Sequence, residues 1–147
     1  MTGQEIAEAV VSEMWRSDLA SQKLGMRVTK IAPGYAQVEM TVSGDMVNGH
    51  STCHGGFVFC LADSAFAFAC NSHNARTVAA SCSIEFLAPA YAGDRLVAEA
   101  KETALRSRTG IYDVTVANQN GDRVAFFRGR SHRVKGDIIQ TSAGDGS

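Results

Sequence analysis

HGGFVFCLADSAFAFACN, residues 54–71, is the stretch on which the fold turns. Its Phe, Val, Leu and Ala side chains run from Phe57 to Ala69 and leave little polar face. The run reads as a helix, and a helix apolar on all sides is buried on all sides. Something must wrap it, and a curved sheet is the obvious wrapper. Asp63 is the anomaly, the one charged side chain in that apolar run. Burying a carboxylate costs several kcal/mol unless it is paired, so Asp63 is either a structural cap or a reactive group.

Working outward, strand-like runs lie on both sides. Met26–Ile31 and Tyr35–Val42 come before, joined by the turn dipeptide Pro33-Gly34 as a hairpin. Arg76–Phe86, Arg95–Leu105, Ile111–Ala117 and Arg123–Val134 come after, separated by turns that favour successive antiparallel hairpins. Ahead of them, Thr2 and Glu5 form a capping-box pattern. Ile6, Val10 and Met14, with Ala9 beside them, predict one amphipathic N-terminal helix within residues 1–24, ending before Gly25. The tail, residues 136–147, is small and polar and is expected to fray. No repeat or second domain is visible, so residues 1–147 read as one domain. One buried helix between two early and four late strands suggests an α+β hot-dog architecture, an antiparallel sheet around a long central helix. Exposed sheet edges are a liability, so oligomerisation is expected.

The 147 residues are 45% hydrophobic and 20% charged, enough for a core and unlike a disordered chain. A net charge of -1 gives no bulk electrostatic case for nucleic acid. The apolar run is too short, with Asp63 inside it, to span a bilayer. The start carries no secretory pattern, which points to the cytoplasm. Cys53, Cys60, Cys70 and Cys82 have no Cys-x-x-Cys spacing and read as reduced, mostly buried thiols.

His54-Gly55-Gly56 stands where a polar loop becomes the helix. The first N–H groups of a helix lack internal partners and favour negative charge. Glycine lets a carbonyl approach them closely, so this is a plausible oxyanion hole. Gly55 and Gly56 could equally serve a tight loop. His54 and Asp63, nine residues or two and a half turns apart, project to opposite sides of one helix. A two-fold dimer could bring the helix start of one chain to Asp63 of the other. Asn48 could orient a carbonyl or a water, or simply make a turn with Gly49. His50 and His54 lack a third ligand, so no metal is expected. Cys53 beside His54 lacks an orienting group for a thiol nucleophile. From Lys101 to Lys135, eight basic side chains face three acidic ones, an excess that suits a phosphate-bearing ligand or a solvated face.

Residues 48–56 and 61–67 together resemble the PaaI-type acyl-CoA thioesterases of phenylacetate degradation. The likeness continues through residues 69–72, 86–89, 92–94, 109–113 and 127–133. The resemblance implies Asp63 as nucleophile or general base, the Gly55 N–H as carbonyl polariser, and His54 and Asn48 as supporting residues. Related thioesterases have Glu and Gln where this chain has Asp63 and Asn48, and some carry a hydroxyl at the position of Ala67. Gly56, Arg108 and Thr109 are the substrate-binding candidates. The resemblance further implies an acyl-CoA substrate with an aryl-acetyl group such as hydroxyphenylacetyl, a homotetramer built from hot-dog dimers, and no organic cofactor or metal. Two alternatives stand beside it: a hot-dog hydratase or dehydratase, and a non-catalytic acyl-CoA-binding module.

Overall fold

The computed structural model describes residues 1–141. In chain order the elements are α1 (Gly3–Ser17), α2 (Leu19–Lys23), β1 (Arg27–Ala32), β2 (Tyr35–Thr41), a short 3-10 turn (Gly44–Met46), α3 (Gly55–Asn71), β3 (Thr77–Phe86), β4 (Arg95–Arg106), β5 (Thr109–Ala117) and β6 (Arg123–Arg133). The six strands form one antiparallel sheet in the order β1-β2-β4-β5-β6-β3, wrapped against α3. This is the expected α+β hot-dog architecture.

Strand alternation builds the concave face. Ala36, Val38 and Met40 of β2, Leu96, Ala98 and Ala100 of β4, and Tyr112, Val114 and Val116 of β5 all point inward and are buried. They meet Leu61, Ala65, Phe66 and Phe68 of α3, the apolar burial that drives the fold. Gly129 of β6 lets the helix come close: a Cβ there would stand 2.7 Å from the Phe66 ring.

Several expectations need correction. The hairpin series breaks at β3, which pairs with β6 instead of β4, while β4 crosses to pair with β2. β3 therefore becomes a sheet edge. The N-terminal helix is two helices, because Asp18 ends α1 and caps α2, accepting the Ser21 N–H at 3.0 Å. A polar cap competes with helix continuation and starts a new turn. The buried face of α1 is Ala7, Val10 and Val11, with Ile6, Ala9 and Met14 at its margins. The capping box forms: Glu5 N–H donates to Thr2 Oγ1, and Thr2 N–H donates to Glu5 Oε1.

α3 is not buried on every side. Gly56 and Cys60 are exposed, and Asp63, Ser64 and Ala67 are half-buried. These positions recur at helical spacing, so they form one open stripe. A single sheet layer covers only part of a helix, and β3 at its edge is exposed along most of its length, Val78 at 49% and Phe86 at 55%. Cys53 and Cys70 are buried, but Cys60 and Cys82 are exposed for the same reason.

The described part of the tail, up to residue 141, makes side-chain bonds at Ile138 and Ile139. Asn74 Oδ1 accepts from the N–H groups of Ile138 and Ile139, and its Nδ2 donates to the Ile139 carbonyl. Asn74 adopts a left-handed φ of 65° to do so. Residues 142–147 lie outside the described residues.

Candidate active site

The loop before α3 is built on Asn48. Its Oδ1 accepts from the N–H groups of His50 (2.9 Å) and Thr52 (3.2 Å), and from the Thr52 hydroxyl. The acceptor is thus fully used in shaping the turn, and only the Nδ2 group remains for a ligand. Two backbone bonds pin the end of the loop: Cys53 N–H donates to the Ala90 carbonyl, and His54 N–H to the Met46 carbonyl.

His54 caps α3. Its Nδ1 accepts the Gly56 N–H at 2.9 Å. The Gly56 N–H, a substrate-binding candidate, is therefore already partnered within the chain. Gly55 N–H has no acceptor among the described residues. It stands at the positive end of the helix dipole. The Phe86 ring lies against Gly55, its Cζ 3.0 Å from where a Cβ would be. A groove of about 430 Å³ runs past Gly55, Cys53, Phe86 and Pro89. Burial pushes the Cys53 thiol up, and its Sγ faces the His54 carbonyl, an environment that favours the thiol over the thiolate.

Asp63 lies eight residues further, about 12 Å along α3. It is half-buried in the open stripe and has no hydrogen-bond or ion-pair partner among the described residues. Burial, and then the Asp18 carboxylate, hold its pKa above the ordinary value. A carboxylate made more basic without a partner has the character of a base or nucleophile. Within one chain, however, the Gly55 donor and Asp63 do not converge on one point.

Arg108 and Thr109 sit at the β4–β5 turn. Arg108, Arg133 and Lys135 line an open groove of about 610 Å³. A neighbouring cavity that shares Arg108 and Arg133 reaches Cys70, near the end of α3. Cys70 is about 22 Å along the helix from Gly55, so these candidates lie at the opposite end from the donor. The basic excess is partly used elsewhere: Arg128 pairs with Asp113 at 2.6 Å and Lys101 with Glu99 at 3.4 Å. His50 is exposed and far from forming a metal cluster; among the described residues no group of three or more ligand side chains gathers. No described helix is long and apolar enough to cross a membrane.

Sequence reasoning missed two residues beside these groups. Phe86 was visible only as a strand-end aromatic, and its contact with Gly55 comes from the β3–β6 pairing. Asp18 carried only a cap-like signal, and nothing in its spacing points to Asp63.

A helix-start donor and a desolvated carboxylate on a hot-dog scaffold define a class of thioester-processing proteins, and comparison with known proteins agrees. Residues 50–125 match the model of the thioesterase superfamily. The acyl-coenzyme A thioesterase PaaI of Escherichia coli K12 is 46% identical over 125 residues, 85% of this chain and 89% of its own. The solved structure of the E. coli PaaI protein from the phenylacetic acid degradation operon superposes with a TM-score of 0.91 at 43% identity, covering 92% of this chain and 99% of that one. A mutant of the phenylacetic acid degradation protein PaaI from Thermus thermophilus superposes with a TM-score of 0.77 at 42% identity, covering 80% and 100%. The chain belongs to the thioesterase superfamily and, within it, to the PaaI-type thioesterases.

Proposed function

We propose that this chain hydrolyses acyl-coenzyme A thioesters in the cytoplasm, with phenylacetyl and hydroxyphenylacetyl chains as its preferred acyl groups. One observation carries the mechanism: the Gly55 N–H is open, while Asp63, on the uncovered stripe of the same helix, is desolvated and unpaired. The exposed β3 edge and that stripe suit pairing with a second copy, which would bring Asp63 of that copy to the Gly55 of this one. The working form in this reading is a homotetramer of hot-dog dimers.

The thioester oxygen sits against the Gly55 N–H, strengthened by the helix dipole. His54 keeps Gly56 turned into the cap, and the Asn48 Nδ2 helps place the acyl group or the water. Asp63 acts as nucleophile or general base. On the base route it takes a proton from water, and the hydroxide adds to the carbonyl carbon. The tetrahedral oxyanion collapses, the C–S bond breaks, and the coenzyme A thiolate recovers the proton from Asp63. Arg108 and Thr109 offer donors to the coenzyme phosphates.

Thiol release from a panel of aryl-acetyl, benzoyl and straight-chain acyl-CoA thioesters tests this, with Asp63→Asn alongside. Fast release for aryl-acetyl chains, lost by several powers of ten in the variant, is the expected result. Full activity in Asp63→Asn would sink the mechanism. Tight binding with no release would make the chain a binding module instead.

A further inference from the structure

The concave sheet outlasts the helix it wraps. α3 stops at Asn71, while β4 runs on to Arg106 and β6 to Arg133. Beyond the end of α3 this leaves a cavity of about 390 Å³, with the C-terminal segment that Asn74 pins along one side. Its volume falls within the roughly 300–1,000 Å³ of small-ligand sites. Ile6 and Leu105 give it apolar walls. No step of the hydrolysis described above uses this space.

Two buried hydroxyl residues line the cavity, Tyr112 and Ser131, each 1% exposed. The Tyr112 hydroxyl donates to Glu102 Oε1 at 2.9 Å, which leaves its oxygen to accept. Ser131 Oγ has only the Gly110 carbonyl, 3.4 Å away. An O–H···O bond ordinarily spans about 2.5–3.0 Å, so the Ser131 proton is buried without a close acceptor. Burying an unsatisfied donor is costly, which points to a ligand atom as its partner. The cavity is continuous with the groove of about 610 Å³ at the β4–β5 turn, since both are lined by Ser107, Arg108 and Arg133. Lys135 adds a third cation to that groove. Among the described residues none of these three cations pairs with a carboxylate.

We infer that the cavity beyond α3 holds the adenine ring of the coenzyme, with Ser131 bonded to its edge, while Arg108, Arg133 and Lys135 in the adjoining groove hold its phosphates. A flat ring with polar edges, tethered to phosphates, uses every feature of this surface. A bare phosphate would leave the cavity empty, and an apolar tail would leave the Ser131 hydroxyl unpaired. The inference rests on the thioester-hydrolysis reading above and adds where the far half of the substrate binds. It also accounts for the distance of Arg108 from the Gly55 of its own chain. A two-fold axis makes two paired β3 edges antiparallel, so the Thr77 end of one runs beside the opposite end of the other. The cavity, which Thr77 lines, then lies toward the helix start of the second copy. One chain would thus supply both Asp63 and the nucleotide site, and the other the carbonyl donor.

Calorimetry with the adenosine bisphosphate fragment of coenzyme A, against inorganic pyrophosphate, tests this in the wild-type chain, Ala75→Phe and Arg133→Gln. Ala75→Phe fills the cavity from its half-buried rim, and Arg133→Gln removes a cation at an exposed position. The wild-type chain should bind the fragment more tightly than pyrophosphate. Each variant should weaken the fragment about 10-fold or more, and Arg133→Gln alone should weaken pyrophosphate. Equal affinities for fragment and pyrophosphate in the wild-type chain would overturn the ring site, and that comparison holds even if Ala75→Phe does not fold. A fragment affinity untouched by Ala75→Phe would overturn it as well. The ratio of kcat/KM for phenylacetyl-CoA to that for phenylacetyl-pantetheine should fall about 10-fold in both variants. An unchanged ratio, or fragment and acyl-CoA bound at the same time, would overturn the assignment to the coenzyme. Fragment binding as stated with no thioester turned over supports the nucleotide site while the hydrolysis reading fails.

Discussion

The His54 imidazole accepts the Gly56 N–H at Nδ1, 2.9 Å away, and so leaves the Gly55 N–H as the open donor at the start of α3. One side chain thereby decides which of two adjacent backbone donors is left without a partner at the helix start. His54→Ala is expected to cost about 1 kcal/mol of stability, as loss of an N-cap does. It should also lower kcat, because the helix start loses its fixed geometry. His54→Asn should recover the stability, since Asn is a strong cap. Urea unfolding of the three proteins checks this, and equal midpoints would contradict the capping role.

Asp63→Asn should raise the melting temperature at pH 7 while removing activity. Burial and the Asp18 carboxylate hold the folded Asp63 pKa above 3.8. A carboxyl shifted upward by folding stabilises the fold fully below its unfolded pKa, and that contribution disappears as pH rises through the folded value. At pH 7 the ionised side chain therefore costs stability, and Asn removes the cost. The difference in melting temperature should vanish towards about pH 3. A gap that does not depend on pH would rule out the desolvation account. In the wild-type enzyme, the acidic limb of kcat/KM should lie above the ordinary aspartate value.

Gly55→Ala and Gly129→Ala should separate function from packing. At Gly55 the new methyl meets the ring of Phe86, which is 55% exposed and can turn away. Stability should change little and activity should fall. At Gly129 it meets the buried Phe66 ring at 2.7 Å. Overpacking of that kind costs about 1–3 kcal/mol. Paired thermal melts and thiol-release assays distinguish the two, and the reverse ranking of stabilities would contradict the packing described.

Mixing two inactive variants tests the shared site. Asp63→Asn and Asn48→Ala damage different halves, so a mixed dimer rebuilds one intact site. Random reassembly should recover roughly a quarter of wild-type activity, since half the dimers are mixed and each has one good site. No recovery after exchange, with association confirmed by light scattering, would place both halves in one chain.

Asn74→Ala should loosen the C-terminal segment. It removes the bonds to Ile138 and Ile139 and puts a Cβ-bearing side chain without polar compensation at φ 65°. Amide exchange at Ile138 and Ile139 should accelerate well before global unfolding. Unchanged protection there would show that other contacts hold the segment.

Much of this was written locally in the chain. The apolar run of α3, the alternation along β2, the Pro33-Gly34 turn and the Thr2–Glu5 cap are patterns of a few residues, and each formed where its spacing put it. Asp63 stood out because a lone carboxylate in an apolar helix is costly, and Gly55 because a helix start has unpaired donors. What the chain could not state locally was who meets whom. The pairing of β3 with β6 instead of β4 turned β3 into an edge, exposed Cys60 and Cys82, and laid Phe86 on Gly55. The break at Asp18 brought α2 against Ser64 and made a polar wall beside Asp63. Periodicity reports the face of one element, because it follows from the geometry of a single backbone. Which elements come together depends on the summed burial of many side chains across the whole sheet, and that sum has no signature in any one stretch of sequence.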